Sequence, residues 1–222
     1  MCGIFLYCGG VQPVDTLREL FARSQHRGPD DSQFLVHYPN AHTMVAMGFH
    51  RLAINGLQPS GNQPFTFHDT FTLCNGEIWN HQRLHEDCRT PNTTGSDCEI
   101  VPHYLRYIKD TPSRYHDEDP LEELCKALDG VFGLVVYDRA RGKLHVARDR
   151  IGIRSLYFVH NAGCVWVASE RKSLPPLLRT VRAFPPAHCV TFDLDALHTA
   201  TPPTPYWSVR SARTPNRFDV PL

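Results

Sequence analysis

The sequence predicts an α+β protein in which one sheet packs on another and helices lie outside, and three observations carry that expectation. Short apolar or alternating runs recur from residue 2 to residue 192, far more often than helical patterns do. Two pairs of these runs flank short glycine-containing turns, Arg139-Ala140-Arg141-Gly142 and Asn161-Ala162-Gly163, and so read as antiparallel hairpins. Three or so helical stretches cluster in the first 130 residues. No internal repeat is present, and no Gly-x-x-x-x-Gly-Lys loop offers to cradle a nucleotide.

In chain order, Cys2-Gly3-Ile4-Phe5-Leu6-Tyr7 is an apolar run closed by Gly9-Gly10, which suits a buried strand. From Asp15 to Ser24 the apolar positions Leu17, Leu20, Phe21 and Ala22 mark an amphipathic helix with Asp15 or Thr16 as its N-cap. His26-Arg27-Gly28-Pro29-Asp30-Asp31 is a charged glycine-proline turn, either plainly exposed or shaping a site. Gln33–His37 and Met44–Arg51 are strands, and Pro59–Pro64 is a loop. Phe71–Asn75 is a further strand that delivers Asn75, followed by Gly76, where backbone must turn sharply or approach a neighbour closely. Trp79–Glu86 reads as a helix. Ser96 or Asp97 then caps another that runs to Ile108, with Pro102 tolerated only in its first turn. After the polar stretch Asp110–Asp119, Leu121–Leu128 is a helix stopped at Asp129-Gly130. Val131–Asp138 with Lys143–Arg148, and Leu156–His160 with Cys164–Ala168, form the two hairpins. Arg171–Leu178 is a short helix interrupted by Pro175-Pro176, and Ala187–Phe192 is the last strand. From Thr199 the proline-rich, polar composition is that of a linker or tail, which places one domain at 1–200 and a tail at 201–222.

Composition narrows the function classes. With 41% apolar residues in 222, the chain has enough material for a substantial core without staples. Twenty-three basic side chains balance twenty-three acidic ones, so no strong field points to nucleic acid or an anionic membrane as partner. Eight cysteines without a Cys-x-x-Cys, and no secretory or membrane-spanning run, lead to the expectation of a reduced cytoplasmic protein. His81 and His85 lie four apart but lack a third ligand and the His-Glu-x-x-His order. They read as an exposed helix face, and no metal site is expected.

The chemistry starts at Cys2. Removal of Met1 would place a thiol and a free α-amine on one residue, and an amine with a pKa of about 7.7–8.0 can take the proton of a thiol near about 8.5 without a histidine. Releasing nitrogen from an amide also needs an oxyanion hole. Asn75 supplies a side-chain NH2 and Gly76 a backbone N–H with no Cβ in the way. An amino-acid substrate would present a carboxylate suited to the fork of Arg51 and an ammonium suited to Glu77 and Asp97. Each residue also has an ordinary reading: Cys2 as a small strand opener, Arg51 as a strand-end charge, Asn75-Gly76 as a hairpin turn, Asp97 as a helix cap. Their coincidence favours the site.

Several stretches together resemble the class II glutamine amidotransferase domain: Met1-Cys2-Gly3-Ile4, His26-Arg27-Gly28-Pro29-Asp30, Arg51-Leu52, Gln63-Pro64, Asn75-Gly76-Glu77-Ile78-Trp79-Asn80-His81, Gly95-Ser96-Asp97-Cys98-Glu99, Arg148-Asp149-Arg150-Ile151-Gly152 and Ala168-Ser169-Glu170. Within that class they look like the N-terminal half of the glutamine-hydrolysing asparagine synthetases, from Cys2 to about Trp207, in the family's order. The resemblance implies an N-terminal-nucleophile hydrolase fold, a four-layer αββα sandwich. It implies Cys2 as nucleophile, a glutamine pocket at Arg51, Leu52, Ala53, Ile54 and Asn55, at Asn75, Gly76 and Glu77, and at Asp97, and ammonia passed to a second domain.

Three departures stand beside it. The chain stops at Leu222, where the family begins its ATP-binding synthetase domain, so ATP and magnesium are expected only with that domain, in cis or in trans, and not here. Ser155 and Trp79 stand where the family usually has proline and tyrosine, and Met1 precedes the nucleophile. The implied activity is hydrolysis of L-glutamine to glutamate and ammonia through a Cys2 thioester. The alternatives are a non-catalytic glutamine-binding or regulatory module and a piece of a longer two-domain synthetase. A second copy of the chain is a further candidate partner.

Overall fold

A computed structural model describes residues 1–112, 119–161, 163–178, 180–199 and 201–208. Twelve strands among them form two six-stranded sheets. The first sheet comprises β1 (Gly3–Gly10), β2 (Asp31–Asn40), β3 (Thr43–Arg51), β8 (Tyr157–Asn161), β9 (Cys164–Ala168) and β10 (Arg182–Ala183), in the order β10-β8-β9-β1-β3-β2. The second comprises β4 (Phe65–Phe67), β5 (Thr70–Ile78), β6 (Gly130–Asp138), β7 (Lys143–Arg148), β11 (His188–Asp193) and β12 (Thr204–Pro205), in the order β12-β11-β7-β6-β5-β4. All pairings are antiparallel.

The side-chain alternation of the strands builds the layers. Ile4, Leu6 and Cys8 of β1 point into a core shared with Leu73, Val135, Tyr137, Leu144 and Val146 of the other sheet. Phe5 and Tyr7 point the opposite way, onto Leu17, Leu20 and Phe21 of α1 (Val14–Ala22) and onto Trp166. On the far face of the second sheet, Cys74, Phe132, Leu134 and Val136 pack against α2 (His81–Cys88), α3 (Ile100–Asp110) and α4 (Pro120–Ala127). The order is therefore helix, sheet, sheet, helix, the expected αββα sandwich. Central strands covered on both faces need apolar residues throughout, which is why β1 reads as a continuous run.

The remaining differences from the sequence reading have local causes. Pro13, with φ −58°, occupies the N-cap position of α1, so the helix opens at Val14 and Asp15 sits in its first turn. Ser96 does cap: its hydroxyl accepts from Cys98 N at the head of a 3-10 turn that leads into α3. The 171–178 helix reduces to one 3-10 turn, Arg171–Ser173, because the prolines that follow cannot extend it. His85 is not on an exposed face. It is 6% exposed, against His103 of α3. The 201–222 tail assignment needs correction at its start. Thr204–Pro205 pair with β11, and Tyr206 is buried, donating its hydroxyl to Arg148 O at 2.8 Å. A single aromatic anchor outweighs the proline-rich composition around it. Most of the 110–119 loop and the tail after Ser208 lie outside the described residues. No described helix is long and apolar enough to cross a membrane.

Burial also sets the response to acid. His37, His50, His85, His103 and His145 are all held below the ordinary imidazole value, first by burial, and His145 is pushed down to about 3. These rings stay neutral in the fold, whereas the unfolded chain takes up protons near about pH 6.5, so their contribution is full above that pH and lost as pH falls below it. The carboxylates of Glu99 and Asp138, held below their ordinary values, add a loss only at still lower pH. Urea midpoints are expected to fall between about pH 7 and about pH 5, and His145→Gln to flatten that slope. Equal midpoints across this range in the wild type would contradict the account.

Candidate active site

Cys2 stands one residue ahead of β1, a central strand of its sheet, with its carbonyl and its sulfur each held by a hydrogen bond. Arg27 Nε donates to Cys2 O at 2.8 Å, and Arg27 Nη1 donates to Glu170 Oε1 at 3.2 Å. Gly28 makes this approach feasible, since a Cβ there would lie 2.3 Å from His50 O. The sulfur receives Leu52 N–H at 3.4 Å. Burial pushes the Cys2 thiol up, against the Leu52 N–H and the chain-terminal positive charge, which lower it. The α-amine is on Met1, which lines the same cleft.

The opposite wall comes from the second sheet. β5 continues through Asn75 and Gly76 to Ile78, so these residues are strand and not a hairpin turn. Gly76 is required by close approach, because a Cβ there would lie 2.3 Å from Val131 O. Asn75 is 2% exposed and its Nδ2 has no hydrogen-bond partner. An unspent buried donor costs about 1–3 kcal/mol, and its natural partner is an oxygen that carries charge only when a ligand reacts.

Asp97 is buried and already engaged: Oδ2 accepts from Ile78 N at 2.7 Å and Oδ1 from Asn55 Nδ2 at 3.2 Å. Glu99 fixes the approach to it by accepting from the backbone and hydroxyls of Thr93 and Thr94. Arg51 lines the cleft, but its terminal nitrogens hold the loop beyond it. Nη1 donates to Gln58 O at 3.0 Å and Asn62 Oδ1 at 2.5 Å, and Nη2 to Asn55 O at 3.2 Å and to Gly56 O. Those nitrogens reach a carboxylate only by exchanging loop partners. Glu77 is likewise bridged, to Arg154 Nη2 at 2.8 Å.

Of the residues singled out from the sequence, Cys2, Arg51, Leu52, Ile54, Asn55, Asn75, Gly76, Glu77 and Asp97 line one cleft with about 540 Å³ of atom-free space, its mouth included. Ala53 is not among its lining residues, and its N–H donates to Asp30 Oδ2 at 2.8 Å. The sequence reading gave no role in the site to several residues that serve it, and left Arg27 in a turn that was either exposed or site-shaping. Arg27 holds Cys2, and Cys74 and Arg154 line the wall. Arg154 is presented by Asp149, fully buried, whose carboxylate accepts from Phe132 N, Ile151 N, Ile153 N and Arg154 N. An aspartate followed at short range by Gly152 was the available signal for such a carboxylate-centred turn.

A four-layer sandwich with a cysteine at the head of a central strand, facing an asparagine-glycine pair, defines an amidotransferase of the N-terminal-nucleophile type. Residues 1–214 match the family model described as glutamine amidotransferase domain, and the chain belongs to that family. It is 39% identical over 202 residues to asparagine synthetase [glutamine-hydrolyzing] 1 of Saccharomyces cerevisiae, covering 85% of this chain and 31% of that protein. It is 36% identical over 197 residues to asparagine synthetase [glutamine-hydrolyzing] of Brassica oleracea, covering 85% and 30%. The chain thus spans about a third of the length of these curated relatives. Among solved structures, glutamine phosphoribosylpyrophosphate amidotransferase from B. subtilis shares the fold, with TM-score 0.71 and 17% identity over 93% of this chain and 49% of that one.

Asp97 provides a stability test. Asp97→Ala leaves the buried Ile78 N–H unpaired and is expected to cost about 1–3 kcal/mol, read as a lower urea midpoint at unchanged slope. A midpoint within error of wild type would remove the anchoring role.

Proposed function

We propose that the chain hydrolyses L-glutamine to glutamate and ammonia through a thioester on Cys2, and that the ammonia supplies asparagine synthesis by an ATP- and magnesium-dependent synthetase domain. The observation that carries this reading is the cleft itself, which holds the Cys2 thiol and the unpartnered Asn75 Nδ2 together with Arg51, Glu77 and Asp97.

With Met1 removed, the α-amine of Cys2 takes the thiol proton and the sulfur attacks the side-chain amide carbon. The carbonyl oxygen becomes an oxyanion that accepts from Asn75 Nδ2 and the Gly76 backbone N–H. The protonated amine gives its proton to the departing nitrogen, ammonia leaves, and a thioester remains. Water then attacks the thioester carbon, the amine takes a water proton, and the thiolate leaves and is reprotonated. Arg51 serves the substrate carboxylate, and Asp97 with Glu77 its ammonium, with Leu52 to Asn55 closing the pocket.

The length of the relatives supports a synthetase partner, and so does the rim of the cleft. Ile54, itself a lining residue, and Ile153, next to the lining residue Arg154, are each more than half exposed. Apolar side chains beside a reactive mouth are suited to cover by a second domain. Met1 in the cleft favours a second reading, a glutamine-binding module without turnover, for chains that keep the methionine.

Met1-free protein incubated with glutamine is expected to release glutamate, and Cys2→Ala to release none. Asn75→Ala is expected to lower kcat by about a hundred- to a thousandfold. Release no greater than that of the Cys2→Ala protein would sink the hydrolytic reading, and glutamine binding without release would establish the module.

A further inference from the structure

Gln63 lines the cleft, is 5% exposed, and takes no part in the proposed hydrolysis. Both ends of its amide are spent on one residue. Gln63 Oε1 accepts from Cys74 N at 2.7 Å, and Gln63 Nε2 donates to Cys74 O at 3.1 Å. The pairing of β4 with β5 explains why a side chain does this. Phe65 faces Thr72, and the same register carried two residues further along each strand places Gln63 opposite Cys74. The ladder stops short of that pair, because β4 begins at Phe65. The side-chain amide of Gln63, with a donor at one end and an acceptor at the other, therefore stands in for a missing main-chain rung.

The main chain leaves the sheet edge to serve the other wall. Asn62, directly before Gln63, accepts from Arg51 Nη1 through its Oδ1, and Gln58 O accepts from the same nitrogen. The segment from Gln58 to Gln63 is thus bonded to Arg51 along its length and to β5 at its end. We propose that Gln63 is a positioning residue for the oxyanion donor Asn75, acting through the peptide that joins Cys74 to Asn75. The inference rests on the proposed hydrolysis, in which Asn75 Nδ2 receives the oxyanion.

The carbonyl of Cys74 and the nitrogen of Asn75 belong to one planar peptide, so a bond to that carbonyl fixes the plane from which the Asn75 side chain departs. On the opposite edge of β5, Cys74 and Asn75 face Leu134 and Gly133 of β6. The strand is therefore flanked on both edges at the residue before Asn75, beyond the point where β4 ends. Without the Gln63 amide, the N–H and C=O of Cys74 lose that partner inside a residue only 1% exposed, and the strand shifts toward groups that can replace it. Asn75 Nδ2 makes no hydrogen bond among the described residues that could hold it in place. Its aim depends on its backbone, and a donor displaced from the oxyanion position loses much of its effect.

The test is a double-mutant cycle on the full Met1-free chain, with glutamate release measured against glutamine concentration. Gln63→Met retains the length of the side chain and removes its amide. It is expected to lower kcat by about ten- to thirtyfold, less than the loss caused by Asn75→Ala, with KM within about twofold of wild type. In the Asn75→Ala background the same substitution is expected to lower kcat by less than about twofold, since the group it positions is already gone. Gln63→Glu keeps an acceptor for Cys74 N but sets a second oxygen against Cys74 O, and it takes the place of Gln63→Met in the cycle if that variant does not fold.

Equal losses of kcat in the two backgrounds make Gln63 a residue of general structure and overturn the proposal. An unchanged kcat overturns it as well, and if KM rises the effect belongs to the Arg51 side of the segment. Failure of both variants to fold overturns it too. Absence of glutamate release from the wild type sinks the hydrolytic reading and the proposal with it. Release from the wild type with equal losses in the two backgrounds overturns the proposal alone, so the two failures are distinguishable.

Discussion

The site depends on the immobility of the main chain at Cys2. Gly3 to Gly10 is bonded on both edges, by β3 and β9, and its residues from Gly3 to Gly9 are buried. Ile4 N donates to Ser169 Oγ at 2.9 Å, and Ile4 O accepts from Ser169 N at 3.0 Å. With Arg27 on the Cys2 carbonyl, little conformational freedom remains to be lost when a ligand arrives. A thiol on a loop would incur that ordering cost at each binding event. Here it is met once, by folding.

The second sheet makes the opposite wall equally stiff, and the strain it tolerates is informative. Gly76 and Gly130, on adjacent strands, both approach neighbouring backbone so closely that a Cβ at either would overlap a carbonyl oxygen. That spacing fixes the height of Asn75 in the cleft. Its unpaired amide is a standing cost of about 1–3 kcal/mol, which an oxyanion formed against it in the proposed hydrolysis would recover. A donor that is already dry and aimed needs no reorganisation during reaction, which is the condition for a large rate effect.

Sequence periodicity revealed the elements that bury most surface, because burial is what periodicity records. The β6–β7 and β8–β9 hairpins and the caps around Ser96 lay where turn residues and apolar alternation placed them. The two- and three-residue strands β4, β10 and β12 left no trace, since so few positions carry no period. Nearly all the residues proposed for the site line one cleft, but their bonding was not legible in the sequence. Arg51 read as an open fork because sequence shows a charge and not the loop carbonyls that curl onto it. Arg27 and Arg154 act through Cys2 O and Glu77, partners 25 and 77 positions distant, and only folding brings such pairs together.

The electrostatics of the cleft follow from those pairings. Arg51 and Arg154 supply two cations to the wall, and Glu77 and Asp97 two anions, so the lining is balanced: Glu77 is paired with Arg154, while Arg51 and Asp97 are bonded to neutral groups. Such a surface offers no net attraction to a simple anion or cation. It matches a zwitterion, whose carboxylate and ammonium engage opposite signs at once. Every one of these groups already has a hydrogen-bond partner in the protein, so a ligand enters by exchanging bonds. Exchange is close to energetically neutral at each end, and a ligand that satisfies only one end leaves the displaced loop or strand group unpaired. In the proposed function, selectivity for a free amino acid over an amide or an amine alone would arise from the cost of incomplete replacement, and not from the strength of any single contact.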